Sequence, residues 1–170
     1  RNRKEEIITR DLLAELSNFS DKLTLEVYVV SLDSQYLLKQ KLKYFPVIEF
    51  NGLGKGNSRF LGIPIAKEFE TLITAIKDQS VKKSKFKTKN IEFLEEINEI
   101  INIQVFVTPH CPKCPETAKI AFRMSKVNKF ISTDVIEISS FPKLAKKNQV
   151  WSVPKIIINE GKCTYEGALT

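Results

Sequence analysis

The chain has 170 residues, 42% apolar and 28% charged, the balance of an ordinary globular protein with one large domain or two small ones. No apolar run approaches the roughly 18 residues a membrane span needs, and the charged start RNRKEEIITRDL has no apolar signal core. The net charge of +7 looks like a nucleic-acid signal, but five of those charges are Lys82, Lys83, Lys85, Lys87 and Lys89, and without them the excess is +2. Such a run reads as a solvated linker, not as a nucleic-acid surface.

In chain order, an amphipathic helix is expected over Ile7–Phe19, then a strand over Leu25–Val30 and a helix over Gln35–Lys43. An X-Pro step at Pro46 leads into a strand, and a second hairpin strand ends near Phe60-Leu61-Gly62. The helix Ile65–Lys77 closes the first half. The basic segment, 81–90 at its core, separates 1–80 from 91–170. A helix from Ile91 to about Ile101 places Ile91, Leu94, Ile97 and Ile101 on one stripe, which is core packing. The β-branched run Asn102–Thr108 reads as a buried strand. Pro115 then opens a helix from Glu116 to about Lys129, followed by a strand Thr133–Ile138, a helix Lys143–Trp151, a second X-Pro step at Pro154 and a strand Lys162–Glu166.

The chain repeats itself at an offset of 108 residues, with Pro46 over Pro154. Helix, strand, helix, X-Pro step and hairpin then coincide. The fold class expected is α/β, with two copies of one unit packed together. The offset places Arg3 and Glu6 opposite Cys111 and Cys114, so the first copy is degenerate. It starts too late for a counterpart of the strand Asn102–Thr108, and the second copy ends at Thr170 without a closing helix. The chain is therefore expected to be a piece of a longer polypeptide.

Three cysteines are too few and too odd in number for a secreted disulfide framework, and the absence of a signal core favours the cytoplasm. There a close pair is catalytic or metal-binding. Cys111-Pro112-Lys113-Cys114 lies where a strand turns into a helix. The helix start favours negative charge, so Cys111 becomes a thiolate nucleophile more readily, and Cys114, one turn in, can displace whatever it binds. This is thiol–disulfide oxidoreductase chemistry. His110 and Lys113 could lower the Cys111 pKa or simply face water. No carboxylate stands in Ile103–Val107 to serve as a buried base, leaving water, Glu116 or Glu137. A competing reading makes the pair half of a zinc or scaffold site, with only Cys163 and His110 to complete it. Cys163 alone reads as a core or surface thiol. Trp151 is either core or substrate rim.

FVTPHCPKCPETAK and WSVPKIIIN make the second half resemble a thioredoxin-fold redox unit. With DLLAELSNFSDKLTLEV and RFLGIPIAKEF, the whole chain resembles the tandem thioredoxin-fold, glutaredoxin-like protein disulfide oxidoreductases. It is also similar to the N-terminal domain of the alkyl hydroperoxide reductase flavoprotein, whose first half has likewise lost its cysteines. The resemblance implies one redox-active Cys111–Cys114 disulfide acting on protein disulfides, with no other cofactor and no metal. It also implies a cis Val153–Pro154 bond, with the Val153 backbone offered to an extended substrate; Pro46 is architectural. A dithiol relay from a flavoprotein reductase to a peroxiredoxin is the alternative. Neither nucleic acid nor membrane is an expected partner.

Overall fold

The computed structural model describes residues 3–31, 34–40 and 42–169. The chain divides into two compact units, 1–46 and 47–170. In the first, α1 (Arg3–Ser17) and α2 (Gln35–Gln40) are joined by a segment whose described residues form no helix or strand, and the unit ends at a cis Phe45–Pro46 bond. The strand expected at Leu25–Val30 does not form: the segment joins no sheet, and Val27, Tyr28 and Val29 are exposed. β-Branched and aromatic residues favour a strand only where a neighbouring backbone and a packing surface meet them.

The second unit holds β1 (Val47–Glu49), β2 (Asn57–Leu61), β3 (Ile101–Val107), β4 (Ile131–Glu137), β5 (Lys155–Ile158) and β6 (Cys163–Glu166). They form one six-stranded sheet in the order β1-β2-β4-β3-β5-β6. The inner strands β2, β4 and β3 are parallel, and the remaining pairings are antiparallel. The sheet runs through both halves of the sequence, because β2 pairs with β4 from Asn57↔Ser132 to Leu61↔Ile136. Arg59 grips Asp134 across that seam with two bonds of 2.6 and 2.9 Å. At the centre Val105, Phe106 and Val107 are all fully buried, as a strand covered on both faces requires.

Four helices complete this unit: α3 (Lys67–Gln79), α4 (Thr88–Glu95), α5 (Cys114–Val127) and α6 (Pro142–Lys147). α5 lies on β2, β3 and β4, and α3 packs against α5. α3 buries Glu68, Thr71, Leu72, Ala75, Asp78 and Gln79, one helical stripe. At its end the Lys126 ammonium of α5 donates to the carbonyls of Asp78, Val81 and Lys83, which fastens the start of the basic segment. α4 stops at Glu95 instead of continuing to Ile101. The Asn128 amide takes the Leu94 and Ile97 carbonyls, each at 2.7 Å, and Ile101 is claimed by the sheet. α6 also stops short, at Lys147, before Gln149 turns the chain with φ 51°. No helix among the described residues is long and apolar enough to cross a membrane.

Candidate active site

β3 carries the chain to Thr108 at the edge of the core, where the Cys111 N–H donates back to the Thr108 carbonyl at 3.2 Å and closes the turn. Pro112 and Lys113 face solvent, and α5 starts at Cys114 with Pro115 in its first turn, where a missing N–H costs nothing. Cys111 and Cys114 form a disulfide, with S–S 2.30 Å and Cα atoms 5.4 Å apart. Cys111 keeps 8% of its surface accessible and Cys114 keeps none, so the first sulfur is the one a partner can reach. The Cys114 N–H points at Cys111 Sγ from 3.1 Å, a donor placed to stabilise negative charge there.

The second wall is the loop before β5. The Val153–Pro154 bond is cis, and the Val153 carbonyl oxygen lies 3.8 Å from Cys111 Sγ. The loop is held on both sides. The Gly167 N–H donates to the Pro154 carbonyl at 2.9 Å, Lys155 Nζ reaches the Gln149 carbonyl at 2.9 Å, and Ser152 Oγ donates to Glu166 at 3.0 Å. Lys155 also pairs with Glu166 at 3.1 Å, and these partners, the Lys155 bond first, hold the Glu166 carboxyl below its ordinary range. The four expected residues, Cys111, Cys114, Val153 and Pro154, thus converge.

The other candidates separate. His110, Lys113 and Glu116 are exposed, and so is Trp151, at 81%. Glu137 is buried but already accepts the Ser139 and Ser140 N–H groups at 2.8 and 2.9 Å and the Ser140 hydroxyl at 2.8 Å. Cys163 is an exposed free thiol on β6. A zinc site needs further ligands, and among the described residues no group of three or more His, Cys, Asp and Glu gathers.

The residue that sequence reasoning misses is Glu68. It is fully buried, and among the described residues neither carboxylate oxygen has a hydrogen-bond partner. Burial pushes its carboxyl from 4.5 up to about 7; the nearby Thr71 hydroxyl, which stands outside hydrogen-bond geometry, opposes this only in part, Glu137 pushes it further up and Lys119 lowers it. The residue before it is tied to the cysteine turn: the Lys67 N–H donates to the Pro109 carbonyl at 3.2 Å, and Lys119 on α5 pairs with Glu70. Periodicity could have found it, since Glu68 falls on the same stripe as Leu72, Ala75 and Gln79.

With this geometry in hand, the thioredoxin-domain family model matches residues 101–170. The matched span has a thioredoxin-like fold. Its dithiol turn, cis-proline loop and central β3–β4 pair all fall within the matched span. Over 151 residues the chain is 26% identical to the F subunit of alkyl hydroperoxide reductase from Staphylococcus aureus, covering 88% of this chain. It spans about a quarter of that relative's length, 27%. The fold matches the corresponding F subunit from Enterococcus faecalis with a TM-score of 0.88 at 22% identity, covering 99% of this chain and 81% of that one. A protein disulfide oxidoreductase from Aeropyrum pernix gives a TM-score of 0.79 at 28% identity, over 89% of this chain and 69% of the other. A close cysteine pair at the strand–helix turn of such a fold is chemically suited to thiol–disulfide exchange.

Proposed function

We propose that the chain exchanges disulfides with protein partners through the Cys111–Cys114 dithiol and needs no further cofactor. The observation that carries this reading is the position of Cys111 Sγ, partly accessible, 3.1 Å from a helix-start N–H and 3.8 Å from the Val153 carbonyl. In the reduced protein the Cys111 thiolate attacks one sulfur of a substrate disulfide, and the other sulfur leaves as a thiolate that takes a proton. Cys114, deprotonated, then attacks Cys111 Sγ, forming the intramolecular disulfide and releasing the second substrate thiol. Two electrons pass to the substrate in all. We assign the Cys114 proton to Glu68, whose chain neighbour Lys67 is bonded to the cysteine turn at Pro109, because a buried carboxyl with a pKa of about 7 exchanges protons near neutrality. Val153 presents its backbone to an extended substrate segment beside Cys111, and Pro154 shapes that edge.

Similarity to the reductase's F subunit over 88% of the chain favours a second reading, in which the dithiol relays electrons from a flavoprotein to a peroxiredoxin. Both readings suit a reducing compartment such as the cytoplasm, and both treat 1–80 as a thioredoxin-like unit without cysteines, preceding the redox unit 91–170 in the chain. Insulin reduction with dithiothreitol as electron donor tests the activity. The intact chain is expected to accelerate turbidity well above dithiothreitol alone, and Cys111→Ser to return it to that background. An unaccelerated reaction, or one indifferent to Cys111→Ser, would end the proposal.

A further inference from the structure

Beside the dithiol lies an open groove of about 580 Å³. Its floor and wall are Ile138, Pro142, Ala145, Val150 and Trp151, all apolar, and Lys146 stands at its margin. The groove meets the redox centre on two sides. Thr108, also in its lining, is the residue whose carbonyl closes the Cys111 turn, and Trp151 stands two residues before Val153. A largely buried tryptophan would be ordinary, but this one is 81% exposed in the lining of an apolar hollow.

The exposed charge beside the groove is mostly basic. Lys146 lines it, Lys143 and Lys147 are exposed on the same helix α6, none of the three carries an ion pair among the described residues, and Lys113 is exposed on the cysteine turn. The carboxylates in the neighbourhood are largely engaged: Glu137 is held by Ser139 and Ser140, and Glu166 by Lys155 and Ser152. Glu116, on the first turn of α5, is the exposed exception.

The geometry points to a substrate class for this site, an inference that rests on the exchange activity proposed above. The preferred partner is an extended polypeptide segment whose reactive cysteine is followed by an apolar side chain and flanked by acidic residues. The apolar side chain seats against Trp151 and Val150, the backbone runs along Val153, and the carboxylates face Lys143, Lys146 and Lys147. Complementary charge of this kind steers encounter and selects among partners more than it adds raw affinity.

The test compares two synthetic peptide disulfides of equal length, each with leucine beside the cysteine, one flanked by glutamates and one by lysines. The intact chain, reduced beforehand with dithiothreitol and desalted, is mixed with each, and kcat/KM is measured with dithiothreitol as recycling donor. At low ionic strength the acidic peptide is expected to react roughly fivefold to tenfold faster, the scale of a few exposed charge pairs. The ratio should fall toward unity at about 0.5 M salt, and invert in the Lys143→Glu/Lys146→Glu/Lys147→Glu variant. Replacing the leucine by glycine should slow the intact chain, and Trp151→Ala should erase that difference. A wild-type ratio within about twofold of unity, or one insensitive to salt, overturns the inference without any variant. Bis(2-hydroxyethyl) disulfide, neutral and small, separates the two levels. If wild type reduces it yet shows no peptide preference, the docking inference falls and the exchange activity stands; if wild type reduces neither it nor the peptides, both fall.

Discussion

Glu68→Gln isolates one buried charge. The carboxyl is displaced from 4.5 to about 7 in the folded chain, chiefly because burial removes its hydration. Between those values the folded state holds a proton that the unfolded chain has released. Stability is then fullest below pH 4.5 and falls as pH rises, and the loss is complete above about 7. At about 1.36 kcal/mol per pH unit, the loss amounts to about 3 kcal/mol. Glutamine has nearly the same shape and does not ionise, so the variant escapes that loss. Urea unfolding of the oxidised protein, in which neither Cys111 nor Cys114 titrates, should show wild type losing about 3 kcal/mol relative to the variant between pH 4.5 and 8. With a urea dependence of about 2 kcal/mol/M, that is about 1.5 M in the midpoint difference. Parallel profiles across this range would refute the reasoning, because they would mean that Glu68 is solvated or ionised in the fold. The same substitution should lower turnover above pH 7 by at least about tenfold, if Glu68 takes the Cys114 proton.

Cys114→Ser removes the displacing sulfur while keeping the attacking one, so incubation with a disulfide substrate should accumulate a Cys111 mixed disulfide. Intact-mass spectrometry reads this as an added substrate mass that dithiothreitol removes; no adduct would remove Cys111 from the nucleophile's role. Gly56→Ala probes the seam between β2 and β4. A Cβ there would stand 2.1 Å from the Ile131 carbonyl oxygen and 2.5 Å from that of Asn128, both backbone atoms that cannot swing away. A loss of more than about 2 kcal/mol in urea unfolding is expected, and a neutral result would show that the β2–α5 corner relaxes freely.

The chemistry was legible because it is local. Cys111 to Pro115 occupy five consecutive positions between a β-branched strand and an amphipathic helix, and those elements stand at Ile101–Val107 and Cys114–Val127. Pro154 was legible as a second X-Pro step, although only the fold brings Val153 within 3.8 Å of Cys111 Sγ. Leu25–Val30 misled because strand propensity says nothing about whether a partner strand arrives. The helix beyond Glu95 misled because the Asn128 amide, distant in sequence, takes its last carbonyls.

The sequence by itself determined which cysteines stand close enough to pair and which helix and strand present them, since propensity, periodicity and spacing act over a few neighbouring residues. Tertiary structure alone decided how the two halves share a sheet and which carboxylate is buried without a hydrogen-bond partner among the described residues. Glu116 and Glu137 stood nearer in sequence, but Glu116 is in water and Glu137 is satisfied by its own turn. Glu68 comes from the other half of the chain. Its proton affinity is a property of the dry space between α3 and α5, which exists only once those helices have packed.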